Sequence, residues 1–248
     1  MARYQVILAY DGTGFTGSQV QANSRTVQGE LERALRKLGW SDRTVIMAGR
    51  TDTGVHAAGQ VAAFDFEWTH PADKLLRALN ADLPSDLVVK SLIPVSADFH
   101  PRFDAVSREY CYRLFCEPIR DPLREKFLWR VWPAVDGDAL KQNAGIFLGT
   151  HDFAAIGSPT TPKGTTVRTV AKAEWERMPD GEWQFKVKAD AFLYRMVRRL
   201  VFVQVSVAHG RCSVEKVQHA LSEQGQLLAG LAPAKGLTLV EVMYGSHD

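Results

Sequence analysis

The sequence contains few cysteines, and their spacing suits neither a metal site nor a disulfide framework. Its three cysteines are Cys111, Cys116 and Cys212, an odd number without a Cys-x-x-Cys pair. Such a count favours a reducing cytoplasm, in which the thiols stay unpaired and buried. We therefore expect a cytoplasmic protein without a structural metal.

Long apolar runs are also missing. No stretch reaches the roughly 18 apolar residues that a membrane helix needs. No long apolar run follows the basic start of the chain, MARYQ, so we expect no signal peptide. The hydrophobic fraction is nevertheless 46%, which is enough for a sizeable core and argues against global disorder. We expect no contact with a membrane.

The motifs that bind nucleotide cofactors are absent as well. No Gly-x-Gly-x-x-Gly follows a predicted strand. The glycine-rich loop at residues 11–21 lacks the Gly-Lys-Ser/Thr of a phosphate-binding loop. We expect no cofactor.

Charge of one sign is not in large excess, since the formal net charge is only +2. Basic residues nevertheless cluster at residues 102–130 and 195–211. The two clusters contain Arg102, Arg108, Arg113, Arg120, Arg124, Lys126 and Arg130, and Arg195, Arg198, Arg199 and Arg211. Arginine suits phosphate contacts and base stacking. The alternative is a solvated charged face that neighbouring acids balance.

The most informative stretch is AGRTDTGVHA at residues 48–57. It lies between two predicted strands, 44–47 and 60–66, and loops between rigid strands often carry catalytic groups. An ionised aspartate such as Asp52 can act as nucleophile, base or charge stabiliser, and Arg50, two residues before it, would favour its charged form. The alternative is an ordinary turn in which Asp52 binds backbone amides.

The predicted elements of the first hundred residues follow the order β-α-β-β-α-β. The strands are 4–10, 44–47, 60–66 and 87–92, and the helices are 26–38, capped by Thr26, and 70–79. Strands and helices do not alternate strictly, which favours a mixed sheet in an α+β fold over a wholly parallel one.

The second half repeats this order loosely. Strands are predicted at 107–116, 166–177, 182–189 and 237–242, helices at 136–147, 192–207 and 213–222, and a loop at 151–165. The boundary falls near residues 103–107. We therefore predict two similar α+β subdomains, 1–105 and 106–245, with mixed, mainly antiparallel sheets flanked by helices.

The central stretch resembles the signature of the tRNA pseudouridine synthase A family, Gly-Arg-Thr-Asp-x-Gly-Val-His. Further blocks of that family are matched in order along nearly the whole chain. They are YDGTGFTGSQ at 10–19, NADLP at 80–84, FHPRF at 99–103, SREYCY at 107–112, FLYRMVR at 192–198 and GLTL at 236–239.

This resemblance implies the pseudouridine synthase fold, with an active-site cleft between the subdomains. It also implies conversion of uridine to pseudouridine at positions 38, 39 and 40 in the anticodon stem-loop of tRNA, by a homodimer. Asp52 would be the nucleophile, and three routes fit a carboxylate there: attack on the sugar, attack on the base, or elimination to a glycal. The isomerisation gains no electrons, which is consistent with the absence of cofactor motifs.

Four further residues acquire roles through the resemblance. Tyr110 would stack on the base and take part in proton transfer, and Arg198 would form an ion pair with Asp52. Arg50 would fill the gap left by the flipped uridine or hold its phosphate. His56 would contact RNA or pack locally. Without the resemblance, Tyr110 is a core aromatic residue, and Arg198 is a phosphate contact or a surface charge.

The chain departs from the family at four positions. Ser18 stands where tryptophan is usual, Ile156 where phenylalanine is common, Arg199 where asparagine is common, and Phe202 where glycine is common. These changes concern loop packing and RNA contacts, since Asp52, Tyr110 and Arg198 are retained.

Two other classes of function remain as alternatives. One is a catalytically inactive RNA-binding protein or RNA chaperone of the same fold. The other is a carboxylate-dependent glycosidase, which would need a second acid that the central loop lacks.

Overall fold

The computed structural model describes residues 1–42, 44–161, 164–223 and 225–245. It divides into two compact units, of which the first comprises residues 1–106 with the last strand, and the second comprises residues 107–237. Pro162, part of the loop predicted at 151–165, lies outside the described residues.

The first unit is built on a mixed sheet. Strands β1 (Ala2–Tyr10), β2 (Ile46–Met47), β3 (His56–Phe66) and β4 (Leu87–Val95) are joined there by the last strand of the chain, Leu237–Tyr244. Strand β1 is antiparallel to both β3 and β4, β2 is antiparallel to β3, and the last strand is parallel to β3. Alternate residues of β1 are buried, which is typical of a sheet with one face on the core.

Helices α1 (Val27–Lys37) and α2 (Ala72–Asp82) belong to the first unit. The Thr26 side chain accepts a hydrogen bond from the amide of Gly29, so the predicted cap of α1 is confirmed. Leu31 and Leu35, one turn apart on α1, are fully buried, and α2 packs on β4.

The second unit carries a mainly antiparallel sheet. Strands β5 (Ala105–Phe115), β6 (Trp129–Arg130), β7 (Gly149–Asp152), β8 (Val167–Arg177) and β9 (Trp183–Ala189) are arranged in the order β5-β9-β8-β7, with β6 parallel to β5. The helices are α3 (Gly137–Gly145), α4 (Met196–Ala208) and α5 (Val214–Ser222). Helix α3 packs on α4 and β8. The last strand, Leu237–Tyr244, is hereafter β10.

The predicted class is confirmed, because the protein is α+β with mixed, mainly antiparallel sheets flanked by helices. Several details differ from prediction. Strand β3 begins at His56 instead of residue 60, and β6 and β7 were not predicted. The helix predicted from residue 192 begins at Met196, because Arg195 has a positive φ of 60° that a helix does not allow. Strand β10, which the sequence-based division counted with the second half, lies in the first unit.

Candidate active site

The Asp52 loop, residues 48–55, joins β2 to β3. At its start, the amide of Ala48 donates to the carbonyl of Val61 at 2.8 Å, and the Gln60 side-chain amide donates to the carbonyl of Gly49 at 3.0 Å. At its end, the amide of Val55 donates to the carbonyl of Asp52 at 3.1 Å. Both ends of the loop are therefore fixed, and Asp52 lies half-buried between them.

The glycine-rich loop, residues 11–21, binds the residue before the aspartate. The amide of Ser18 donates to the carbonyl of Thr51 at 3.1 Å, and the Ser18 hydroxyl accepts from the amide of Thr51 at 2.8 Å. The hydroxyls of Tyr10 and Thr51 are 2.9 Å apart. The backbone of Thr51 is thus bound on both sides, and this holds the peptide that carries Asp52.

Burial raises the pKa of Tyr10 to about 12, although its hydrogen bonds to Thr51 and Gln60 act in the opposite direction. The phenol is therefore neutral near pH 7. It serves here as a fixed hydrogen-bonding group, not as a base.

Gly12 makes the closest approach between the two loops. A Cβ at this position would lie 2.0 Å from the carbonyl oxygen of Val55, which is backbone and cannot give way easily. Only glycine allows this contact. Gly17 of the same block also approaches the Asp52 loop, since a Cβ there would lie 2.9 Å from the carbonyl oxygen of Thr51.

His56 lies at the start of β3 and is buried. Its Nδ1 accepts a hydrogen bond from the amide of Gly12 at 3.0 Å. The carboxylate of Asp11 lies 3.2 Å from the same nitrogen. Thr238 of β10 is the register partner of His56 on β3. His56 thus joins the glycine-rich loop to the sheet.

Arg50 is exposed on the Asp52 loop. Within the described part of the chain it forms no ion pair with Asp52. Its side chain is therefore accessible to a ligand from solvent.

In the second unit, Tyr110 lies on β5 opposite Val187 of β9. Its ring meets the ring of Phe192 edge-on, with centroids 5.0 Å apart and planes at 83°. Tyr110 is only half-buried, unlike Tyr112 on the same face of the strand, which is fully buried.

Arg198 lies in the first turn of α4. Its Nε donates to the carbonyl of Ala232 at 2.8 Å, and the amide of Ala232 donates to the carbonyl of Arg198 at 3.3 Å. The Tyr112 hydroxyl donates to the neighbouring carbonyl of Pro233 at 2.9 Å. Burial raises the pKa of Tyr112 well above its usual value, and the charge of Arg198 opposes this shift. Residues 232–233 therefore hold both β5 and α4.

Two of the four departures from the family, Arg199 and Phe202, contact the segment just before Ala232. Nη1 of Arg199 donates to the carbonyls of Leu228 and Gly230, both at 2.6 Å, and burial lowers the pKa of this arginine. The ring of Phe202 covers Gly230, where a Cβ would lie 2.0 Å from the ring. The two residues that replace the family's asparagine and glycine thus bind the segment that holds Arg198.

The other two departures are buried. Ser18 is fully enclosed and makes the contacts to Thr51 described above. Ile156 is 2% exposed and fills a place in the core of the second unit.

The predicted site residues are divided between the two units. Arg50, Asp52 and His56 lie in the first, and Tyr110 and Arg198 lie in the second. Sequence reasoning missed the residues that hold them, namely Tyr10, Ser18, Thr51, Tyr112 and the segment 228–233. Tyr10, Ser18, Thr51 and Tyr112 lie within the family blocks, which were their only signal, whereas the segment 228–233 lies in none of them.

Among the residues that the structure describes, no group of three or more His, Cys, Asp or Glu side chains is arranged to hold a metal ion. Cys212 is buried, whereas Cys111 and Cys116 are half-buried. Burial raises the pKa of Cys111 to about 11, so this thiol is protonated near pH 7. Over the same described ranges, every helix is too short or too polar to span a bilayer.

The family model for tRNA pseudouridine synthase matches residues 6–104 and 144–245. The chain belongs to the tRNA pseudouridine synthase family, and is therefore an isomerase with the pseudouridine synthase fold. The tRNA pseudouridine synthase A of Brevibacillus brevis is 40% identical over 245 residues, which cover 98% of this chain and all of that protein. The tRNA pseudouridine synthase A of Shouchella clausii is 39% identical over 247 residues, which cover 99% of this chain and 94% of that protein.

Proposed function

We propose that the protein isomerises uridine to pseudouridine in tRNA, at positions 38, 39 and 40 of the anticodon stem-loop. The observation that carries the proposal is the Asp52 loop, fixed by Ser18 and Tyr10 through Thr51, in a chain with full-length likeness to tRNA pseudouridine synthase A. In the reaction the bond from the sugar C1′ to N1 of uracil breaks and a bond from C1′ to C5 forms. The proton on C5 leaves and N1 gains one, so atoms and electrons balance.

Asp52 is the nucleophile of this proposal. Its carboxylate is half-buried on a loop whose preceding residue is hydrogen-bonded through its amide, its carbonyl and its side chain. Such fixation lowers the entropic cost of bringing a nucleophile to its target. For Arg198, whose Nε donates to the carbonyl of Ala232, we propose the role that the family resemblance implies, which is to keep Asp52 charged.

Tyr110 supports the turned base and its proton transfer. Its ring contacts Phe192 edge-to-face and is only half-buried, and an aromatic ring of this kind can stack on a base. The phenol oxygen both donates and accepts hydrogen bonds, so it can relay the proton from C5.

Arg50 and His56 have supporting roles. Arg50 is exposed and holds the phosphate of the flipped nucleotide, whose extrusion costs a few kcal/mol. For His56 we infer local packing instead of RNA contact, since the ring is buried and its Nδ1 is bonded to Gly12.

The test is pseudouridine mapping in unmodified tRNA incubated with the wild-type protein and with Asp52→Asn. We expect pseudouridine at 38, 39 and 40 with the wild type and none with the variant, whereas tRNA binding persists because it depends on many phosphate contacts. Asp73→Asn, an exposed acid of the same unit, is the matched control and should leave the yield unchanged. Normal product from Asp52→Asn in a single turnover would refute the assignment. A wild-type protein that binds tRNA without forming product would instead be an inactive RNA-binding member of the family.

We also infer that the functional unit is a homodimer with tRNA bound across both subunits. One subunit has a net charge of only +2, and a second subunit would extend the basic surface available to a long polyanion. Light scattering at working concentration, with and without tRNA, is the test, and a fully active monomer would exclude the dimer.

A further inference from the structure

A pocket in the second unit brings the two basic clusters of the sequence together. It has a volume of about 380 Å³, and its lining includes Arg130 from the first cluster and Arg211 from the second. The remaining walls come from β6 and the residues that follow it, and from the end of α4. They include Trp129, Trp132 and His209. The volume falls within the range of about 300–1,000 Å³ that is typical of ligand pockets.

Hydrogen bonds fix the cationic side of this pocket, which we call the Trp132 pocket. The carbonyl of Pro133 can only accept, so Nε2 of His209, 2.8 Å away, donates to it. Nδ1 of His209 then accepts from Nη2 of Arg211 at 3.2 Å. The Arg211 guanidinium is thereby oriented by His209, which has no negative charge that would offset it.

The other arginine of the pocket, Arg130, makes polar contacts of its own. Nε of Arg130 lies 3.4 Å from Glu125, and its Nη1 donates to the carbonyls of Glu117 and Pro118. The same Glu125 carboxylate also lies 3.3 Å from Arg120 and 3.5 Å from Lys235. Arg130 therefore shares the Glu125 carboxylate with Arg120 and Lys235.

An exposed indole completes the Trp132 pocket. Trp132 is 53% exposed, which is unusual for tryptophan, the amino acid with the largest hydrophobic side chain. An indole beside guanidinium groups is suited to a ligand that combines a flat ring with an anion. A nucleotide of an RNA has this combination, whereas a second copy of this chain would bring the same arginines against one another.

The Trp132 pocket is separated from the proposed catalytic arginine by the length of α4. Arg198 lies in the first turn of this helix and His209 is its C-terminal cap. Eleven residues at 1.5 Å each place them roughly 16 Å apart along the axis. A nucleotide in the pocket is therefore not the reacting uridine.

We propose that the Trp132 pocket binds a second nucleotide of the RNA substrate, with its phosphate on Arg130 and Arg211 and its base stacked on Trp132. This rests on the proposed function only in taking tRNA as the ligand. A nucleotide bound in the pocket would increase the affinity for the RNA and would take no part in the chemical step.

The test measures filter binding of an unmodified tRNA transcript, over a range of salt, to Trp132→Ala and Trp132→Phe. Loss of one stacked base should weaken binding about 5- to 150-fold in the alanine variant, and phenylalanine should restore most of it. The single-turnover rate at saturating tRNA should equal that of the wild type in both. The side chain is half exposed, so neither variant should unfold, and a thermal melt checks this.

The contribution of positive charge to tRNA binding is tested with Arg211→Gln, and Arg77→Gln is the matched control. Arg77 is an exposed arginine on α2, so both variants lose one positive charge. Arg211→Gln should reduce the slope of log affinity against log salt by about one, and Arg77→Gln should reduce it less.

Three results overturn the inference. The first is unchanged affinity in both Trp132→Ala and Arg211→Gln. The second is an equal effect of Arg77→Gln. The third is a change of oligomeric state by light scattering with unchanged affinity per subunit, which would assign this face to a contact between copies. The binding assay needs no turnover. A wild type that binds tRNA through the pocket but forms no pseudouridine would refute the proposed reaction and support the pocket.

Discussion

Replacing Ser18 by alanine tests whether the glycine-rich loop holds the Asp52 loop in place. The substitution removes the hydroxyl that accepts from the amide of Thr51 at 2.8 Å. Both residues are buried, so water cannot easily take the place of the hydroxyl. A buried donor left without a partner costs about 1–3 kcal/mol of the free energy of unfolding.

In a protein of this size, each kcal/mol shifts Tm by roughly 2–4 °C. We therefore expect Ser18→Ala to melt roughly 2–12 °C below the wild type. We also expect a lower single-turnover rate at saturating tRNA, measured well below the melting temperature, because the peptide that carries Asp52 is less well fixed.

Ser96→Ala is the matched control. The Ser96 hydroxyl also accepts from a backbone amide, that of Asp98 at 3.4 Å, but the residue is exposed. Water can replace this contact, so the change should stay within about 0.5 kcal/mol. The reasoning is refuted if Ser18→Ala melts like Ser96→Ala and retains the wild-type single-turnover rate.

Three further predictions concern other contacts of the site and its surroundings. Tyr110→Phe should bind tRNA normally but react slowly, because the ring still stacks while the hydroxyl that relays the proton is gone. Gly230→Ala should lower stability by about 1–3 kcal/mol, since the new methyl group meets the Phe202 ring at 2.0 Å, and adding Phe202→Leu should recover part of the loss. The hydrogen bonds from Arg25 lower the pKa of Asp86. This ion pair should therefore stabilise the protein above about pH 4, and the stabilisation should be lost as the pH falls through the lowered pKa. Asp86→Asn should abolish this pH dependence.

Each of these has a decisive measurement. Near-normal single-turnover rates with Tyr110→Phe would leave that residue a stacking role alone. Equal Tm values for Gly230→Ala and the wild type would mean that the Phe202 ring moves aside freely. For Asp86→Asn, the Tm difference from the wild type should be larger at pH 6 than at pH 3, and a constant difference would contradict the stated pKa direction.

Much of the fold could be predicted because the local signals agree with the tertiary structure. Strand β1 alternates between buried and partly exposed residues, and Thr26 caps α1 as expected. The start of β3 was missed because Ala57, Ala58 and Gly59 have weak strand propensity. They are held there by pairing with β1 and β10. Strand β7 was missed because its four residues, GTHD, carry no alternation, and pairing with β8 defines it.

Some residues of the candidate site could likewise be predicted from the sequence, and others could not. Asp52, Tyr110 and Arg198 lie in contiguous motifs, so sequence alone could propose them. The contact between Ser18 and Thr51 joins residues 33 positions apart, and no pattern along the chain records it. The segment 228–233 carries no motif, and its role emerges only from its bonds to Arg198 and Tyr112.

Strand β10 has a consequence for how the protein is made. It pairs with the start of β3, beside the Asp52 loop, and the carbonyl of Val240 approaches Gly59 so closely that a Cβ there would lie 2.3 Å from it. The ribosome delivers this strand only after the whole of the second unit, although the first unit begins at residue 1. Domains generally fold from the N-terminus during synthesis. Here the unit that starts first is completed last, and until then the nascent chain presents an unpaired strand edge, a feature that invites association with other chains.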